Sequence, residues 1–488
     1  MKKRLSRIRQ KVSTKISETK DKVSSIRTEL KKRDKITAKA SWPRILSWCS
    51  YDLGNTIFSM NIVSLYLGIW IVNELGGLDK HYAYANAISM ALIFMSAPFL
   101  GALSDQAKRR MPFLVVATVI CVTFTALIGQ SPSFLENIIQ NLFNSSDNLT
   151  RIYLAMLFFI IANYFYQAGL IFYDSLLPSI STESNRGRVG GLGVGLGYFG
   201  SLFGIGSGVL LLDSIGYMGM FQFSALLFLI FALPCFLFVK ESHKTSQIEK
   251  GMISDAFREV LHTIENVKKF PGLGRFLIGR IFYTDAINTL IIFMSIYVTN
   301  EFGFTTDTTI WYKNIQYFLL VGVLSSIASG FLWGYLVDIF GPKKTLNLVL
   351  YLWFIDFIVV IALALFDIPY ADVIIWSGAF LAGISVSGLW VADRPYMLLL
   401  TPPKFVGQFY GLYSMVGRFA AIIGPLIWGI IVNELSWGRP AAVGALFVFT
   451  IIAYIILQGV DDTPRDWPPE MQVDYVVEPP RGAMGRSR

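Results

Sequence analysis

Histidine and cysteine are almost missing from this sequence, at three of each in 488 residues. Cys49, Cys121 and Cys235 fall at scattered places in or beside apolar runs, so the spacing offers neither a disulfide framework nor a metal site. None of His81, His243 and His262 lies deep in an apolar run, which argues against a histidine proton relay. There is no clustered His/Glu/Cys or Ser–His arrangement, so no enzyme and no cofactor is expected. A Gly-x-x-x-x-Gly-Lys-Ser/Thr loop is also missing, and with it direct driving by ATP. Charge is scarce too: 15% of residues are charged against 54% hydrophobic. A soluble protein of that composition would expose too much apolar surface.

What is abundant is apolar sequence in long runs. Twelve spans of about 20 residues or more can be drawn, at 45–73, 83–104, 112–129, 152–177, 188–212, 217–239, 273–299, 309–337, 343–366, 372–400, 405–433 and 437–457. Each is long enough to cross a hydrocarbon core of about 30 Å. The net charge of +9 is a property of one end. Residues 1–41 hold fifteen Lys/Arg and four Asp/Glu, +11 in all, leaving 9 − 11 = −2 for the rest. Nucleic acid is therefore not an expected partner. Apolar positions at Leu5, Ile8, Val12, Ile16, Val23, Ile26 and Leu30 give this segment a helical stripe that suits a surface of anionic lipid.

Basic residues also mark Lys108–Arg110, Lys240–Lys250 and Lys343–Lys344, whereas the alternate loops are nearly free of Lys and Arg. Both termini are expected in the cytoplasm. The chain divides into a basic segment (1–41), a six-helix half (42–239), a linker with an amphipathic helix (240–272), a second six-helix half (273–460) and a Pro-rich tail (461–488) expected to be disordered.

Two stretches repeat at one offset. Gly101-Ala-Leu-Ser-Asp105-Gln-Ala-Lys108-Arg109-Arg110 is matched by Gly334-Tyr-Leu-Val-Asp338-Ile-Phe-Gly341-Pro-Lys343-Lys344, with 338 − 105 = 233. The first span carries Tyr51-Asp52-x-x-Asn55 and the seventh Tyr283-x-Asp285-x-x-Asn288, with 285 − 52 = 233. Small Gly101 and Gly334 suit close helix approach, and each acid suits the positive end of a neighbouring helix. The doubled loop resembles the one that follows the second and eighth helices in the major facilitator superfamily. That resemblance implies an all-α membrane protein of twelve helices in two pseudo-symmetric halves, with the first and seventh helices lining a central cavity.

Polar groups inside spans cost roughly 2.5–3.5 kcal/mol for a central charge on insertion scales, so each asks for a reason. Asp52, Asn55, Asp285 and Asn288 are candidates for handling solute or coupling ion. The alternative is a structural Asp–Asn pair that stitches helix ends together. Asn163, Tyr166 and Gln167 of the fourth span and Arg418 of the eleventh are further cavity candidates. Asp105, Arg109, Arg110, Asp338 and Lys343 read as a cytoplasmic gate with Gly101, together with Asp174, Arg186, Arg188, Asp393 and Arg394 at span ends. Arg280 and Arg418 could each meet an anionic group, an intramembrane ion pair with an aspartate being the open alternative for Arg418, and Asp356, mid-span in the ninth helix, gains no role. Residues 187–208 hold ten glycines. Gly195-Leu-Gly197-Tyr-Phe-Gly200 matches a dinucleotide fingerprint, but it lies inside an apolar span with no strand before it, so helix packing is the better account.

Four stretches narrow the resemblance: Ser47-Trp-Cys-Ser-Tyr-Asp-Leu-Gly-Asn55, Tyr173-Asp-Ser-Leu-Leu-Pro178, Arg186-Gly-Arg-Val-Gly-Gly-Leu-Gly193 and Phe409-Tyr-Gly-Leu-Tyr-Ser-Met-Val-Gly-Arg418. They are similar to the vacuole-effluxer-like branch, the autophagy-related vacuolar amino-acid effluxers and their bacterial relatives. The resemblance spans residues 45–460. It implies a monomeric secondary transporter exporting amino acids, in a prokaryotic plasma membrane or a eukaryotic vacuolar one. A proton is the expected coupling ion, with sodium second. A cation-coupled sugar or lysolipid symporter, and a non-transporting receptor or scaffold of the same fold, stay open as alternatives.

Overall fold

Long apolar helices account for nearly all of the described residues in the computed structural model, which describes residues 42–106, 110–130, 133–143, 146–181, 186–240, 270, 272–402, 406–461 and 463. The basic segment 1–41, most of the linker, Arg109 and nearly all of the tail lie outside the described residues. Gly101, Asp105, Arg186 and Arg188 lie on described helices, but their side chains are outside the description.

The helices are α1 (Trp42–Glu74), α2 (Asp79–Gln106), α3 (Met111–Leu127) and α4 (Asp147–Ser175). One continuous element, Arg186–Phe238, breaks at Gly216, whose φ of 65° takes the left-handed region that glycine tolerates. Its parts are α5 (186–215) and α6 (217–238). The second half holds α7 (Leu273–Phe302), α8 (Ile315–Phe340), α9 (Pro342–Leu365), α10 (Ala371–Leu400), α11 (Val406–Gly429, continued by a turn Ile430–Glu434) and α12 (Arg439–Gln458). Ten described segments are long and apolar enough to cross a membrane; the broken one counts twice, and Met111–Leu127 is a shorter apolar helix, giving twelve rods. The structure adds an 11-residue helix, Ser133–Phe143, in the loop before α4.

Helix ends follow local chemistry. Asn314 caps α8, its side-chain oxygen accepting from the backbone N–H groups of Gln316 (2.9 Å) and Tyr317 (3.1 Å). Gly341 at φ 83° followed by Pro342 turns the chain sharply from α8 into α9. Lys343 in that first turn donates to the last carbonyls of the α12 end, Gln458 O (3.3 Å) and Val460 O (2.5 Å). It therefore ties α9 to α12, while Asp338 is exposed at the end of α8.

Lipid tails are as apolar as the helices, so association rests on close packing and interhelical hydrogen bonds. The glycine-rich α5 supplies that closeness. A Cβ at Gly200 would collide with the Leu53 carbonyl oxygen, one at Gly204 would lie 2.7 Å from Asn61 Oδ1, and one at Gly208 would collide with the Tyr66 hydroxyl. This stripe seats α5 on α1. Asn61 also donates to Ser224 on α6 at 2.9 Å. Between the halves, α1 packs on α7, α2 on α11, and the 186–238 element on α8. We call the end of the bundle where α1 begins the near face, and the end where α1 meets α2 the far face.

Candidate functional site

Charged and polar side chains from both halves gather at the two faces, in opposite states. At the far face they are joined. Asp79, at the first turn of α2 and 1% exposed, accepts from Arg439 of α12 through both Nε (2.9 Å) and Nη2 (2.7 Å). Trp428 of α11 donates its indole N–H to the same carboxylate at 3.0 Å, and Arg439 also approaches Glu301 of α7 at 3.6 Å. Such a two-pronged arginine–carboxylate contact is among the stronger hydrogen-bond arrangements. Beside it, Lys80 pairs with Glu434 through its ammonium (2.9 Å) and with Asn433 through its backbone N–H (2.7 Å). Asn300 of α7 donates to Asn73 of α1 at 3.2 Å. Phe293 stacks on Trp428, centroids 4.6 Å apart, and closes the space beneath.

Asn73 and Asn433 stand in matching settings. Ile71-Val-Asn-Glu-Leu75 and Ile431-Val-Asn-Glu-Leu435 are the same five residues, 360 apart, and both helices widen into a π turn there, over Trp70–Glu74 and Ile430–Glu434. Such widened turns often mark functional places in helices. Sequence reasoning missed this latch, because it treated the far-face loops only as poor in Lys and Arg. The repeated pentapeptide was the available signal.

The near face carries charges that do not touch. Asp174 is exposed at the end of α4, and Arg394 of α10 is exposed opposite it, with Arg418 of α11 half-buried. Both arginines lie within electrostatic reach of Asp174, yet no ion pair joins the three among the described residues. Asp52 is half-buried behind Asp174, facing α5 where Gly197 leaves room; a Cβ there would lie 3.4 Å from its Oδ2. Asn55 and buried Tyr166 sit beside Asp52. Neighbouring Tyr51 turns away to stack on Tyr173 (4.7 Å) and bond Thr118 (3.0 Å), so the two residues of the Tyr-Asp motif serve different neighbours. Arg110 donates to the Ser175 carbonyl at the end of α4.

Asn163, Asp285 and Asp393 are tied up inside their own halves. Asn163 donates to Ser89 (2.8 Å) and Asn86 (3.3 Å) of α2, and Gln167 is half-buried one turn on. Asp285, the repeat partner of Asp52, is 1% exposed and accepts from the backbone N–H of Gly424 at 2.7 Å. Pro425, next along α11, cannot donate and disturbs the helix ladder at this turn. Asn288 is half-buried. Asp393 lies in a cluster with Arg280 Nε (3.1 Å) and the hydroxyls of Tyr283 (2.5 Å) and Tyr413 (2.6 Å), the guanidinium lying 3.6 Å from the Tyr413 ring centre. The structure thus separates Asp393 from its neighbour Arg394: one is bonded inside the second half, the other open at the near face.

Between the halves a cavity of about 730 Å³ opens at the near face, lined by Leu46, Leu192, Leu196, Phe199, Phe331, Trp390 and Arg394 among others. Among the described residues no cluster of three or more His, Cys, Asp or Glu suits a metal ion.

Comparison with known proteins agrees with this architecture. A family model described as vacuole effluxer Atg22 like matches residues 78–464, beginning after α1 and therefore after Asp52. The MFS-type transporter YxiO of Bacillus subtilis (strain 168) is 24% identical over 441 residues, 86% of this chain and 95% of that protein. Autophagy-related protein 22-1 of Penicillium rubens is 33% identical over 87 residues, 18% of this chain and 15% of that one. Among solved structures, the nucleoside transporter NupG superposes with a TM-score of 0.62 at 12% identity, covering 85% of this chain and 96% of that one. A bacterial homologue of the human lysosomal transporter Spinster, inward-facing and unoccupied, gives 0.58 at 14%, covering 88% and 98%. At these identities the structures speak for the fold alone. With the family match across most of its length and transporter relatives spanning it, the chain belongs to the vacuole effluxer Atg22-like family and is an MFS-type membrane transporter.

Proposed function

We propose that this transporter moves a small solute by alternating access, and that the structure is its near-open state. The observation that carries the reading is the contrast between the faces among the described residues: cross-half charges bonded at the far face, cross-half charges unbonded at the near one. The near face is taken as cytoplasmic, because the described basic residues Arg110, Lys240, Lys343 and Lys344 stand at that end.

The solute that fits the near-face charges is a zwitterion such as an amino acid. Its carboxylate has Arg394 and Arg418 to meet on the second half, and its ammonium has Asp174 and Asp52 on the first. Closure around it would bring the two sets together, so the solute bridges charges that otherwise lack partners. Export is the proposed direction, following the effluxer family. A proton is the proposed coupling ion, with Asp52 its carrier. Asp52 is half-buried and lacks a cationic partner within the described residues, which leaves its carboxylate free to take up a proton.

Counterflow tests the reading. Proteoliposomes loaded with unlabelled amino acids should take up the same labelled amino acids faster than empty vesicles, and Arg418→Gln should abolish the difference. Equal uptake into loaded and empty vesicles across all twenty would refute amino acids as the solute.

A further inference from the structure

The cavity at the near face is not built for a zwitterion throughout. Its wall is formed by Leu46 of α1, Gly195 and Phe199 of α5, Phe331 of α8, and Trp390 and Arg394 of α10 among others. One charged side chain, Arg394, stands among them. A second chamber of about 200 Å³ lies deeper and shares Tyr198 and Ser326 with the first. It adds Leu290, Ile291, Met294, Phe318, Leu319 and Val386, and no charge among the described residues. Phe331 is 87% exposed and Phe199 55% exposed on the two helices that flank the mouth. The opening therefore faces the lipid between α5 and α8 as well as the near-face water.

We propose that this annex binds a single-chain amphiphile with an anionic head, drawn from the leaflet at the near face. The head meets Arg394 at the rim, and the chain lies between α5 and α8. The volume falls within the roughly 300–1,000 Å³ of small-molecule pockets, which are mostly apolar with a few placed polar groups. Two polar groups without partners support an occupant. The Ser326 hydroxyl, 5% exposed, finds no hydrogen-bond partner, and neither does the Trp353 indole N–H in the deeper chamber. Buried polar atoms are normally satisfied, so these two mark where a bound molecule or a water completes the wall. Charge fixes the head: an exposed cation without an ion pair among the described residues, beside an apolar wall, selects an anion over a cation or a neutral sugar. Arg394 also belongs to the solute reading above, so an amphiphile head there competes with solute. Its chain, wedged between α5 and α8, holds the halves apart at the near face.

Gly195 makes this testable without disturbing the fold. It lines the annex, and a Cβ built on it meets nothing within 4 Å, so Gly195→Leu fills the space rather than clashing. The protein is placed in nanodiscs of zwitterionic lipid and titrated with brominated dodecanoate, whose bromine quenches nearby tryptophan. The Trp390→Phe variant identifies the quenched signal. Saturable quenching is expected in the wild type, abolished in Gly195→Leu and weakened at least tenfold in Arg394→Gln. A brominated dodecyl phosphate runs as a second anionic head, and the tighter of the two names the head group. A brominated dodecyltrimethylammonium should give no saturable quenching. Equal quenching by the cation, or unchanged saturation in Gly195→Leu, overturns the proposal. Amino-acid counterflow in the same preparation separates the two readings: counterflow without quenching removes the annex alone, and quenching without counterflow removes the amino-acid solute alone.

Discussion

The far and near faces hold similar side chains and differ in whether those side chains are bonded. Asp79, Arg439, Lys80 and Glu434 form direct ion pairs across the halves at one end. Asp174, Arg394 and Arg418 confront one another at the other end with no pair formed among the described residues. A transporter that alternates needs this asymmetry to invert, since each state must gain at one face what it gives up at the other. The far latch therefore sets how strongly the near-open state is favoured, and it can be weakened without touching solute.

The largest effect should come from Asp79→Ala. It leaves Arg439 half-buried and removes the partner of the Trp428 indole, and breaking a buried pair costs about 3–5 kcal/mol. Spent on a conformational equilibrium, 3 kcal/mol is roughly a hundredfold shift toward the far-open state. Far-face accessibility to a thiol reagent, at a cysteine placed on Gly429 where α11 meets Lys80 and Ala83, should rise accordingly. No change in accessibility would leave the latch without energetic weight.

Next in size is the contrast between Asp52 and Asp285, which share a place in the repeat and differ in surroundings. Asp52→Asn removes the proposed proton carrier. One proton per solute across a one-unit pH gradient supports about tenfold accumulation, at 1.36 kcal/mol per unit. That accumulation should vanish while counterflow persists. Asp285→Asn keeps a side-chain oxygen for the Gly424 N–H and should retain pH-driven accumulation. The reverse pattern, with Asp285 sensitive and Asp52 tolerant, would move the coupling site into the second half.

The smallest effect is expected of Lys80→Gln. Its ion pair with Glu434 is largely exposed, and such pairs contribute about 0.2–1 kcal/mol, while the backbone bond from Lys80 to Asn433 survives the change. Far-face accessibility should shift less than about fivefold. A shift as large as that of Asp79→Ala would relocate the latch to the Lys80–Glu434 pair.

Much of the architecture was legible from the sequence, because a membrane allows few ways to satisfy a backbone. Span length gives the rods, and the offset of 233 gives the two halves. Gly200, Gly204 and Gly208 announced a close helix contact by spacing alone, and α1 fills it. The sequence could not tell which member of a repeated pair is bonded. Asp285 finds its donor on Gly424, 139 residues away, and only the approach of α11 decides that. Asp393 and Arg394 are adjacent in sequence yet point into different environments. The far latch was harder still: Asp79 and Arg439 lie 360 residues apart, one just before the second span as drawn and the other at the very start of the twelfth, where isolated charges look like loop residues.

The central claim, that the two faces trade their bonds, is tested most directly by paired distances in one molecule. The three native cysteines are buried, so spin labels can be added at chosen sites against little background. Leu78→Cys with Trp437→Cys reports the far face, and Lys240→Cys with Lys344→Cys the near face; all four positions are exposed. Double electron–electron resonance on the otherwise wild-type protein should give a short far distance and a long near distance. Asp79→Ala should lengthen the far pair and shorten the near pair together. If the far pair lengthens while the near pair stays unchanged, the faces are not coupled and the alternating-access account is wrong.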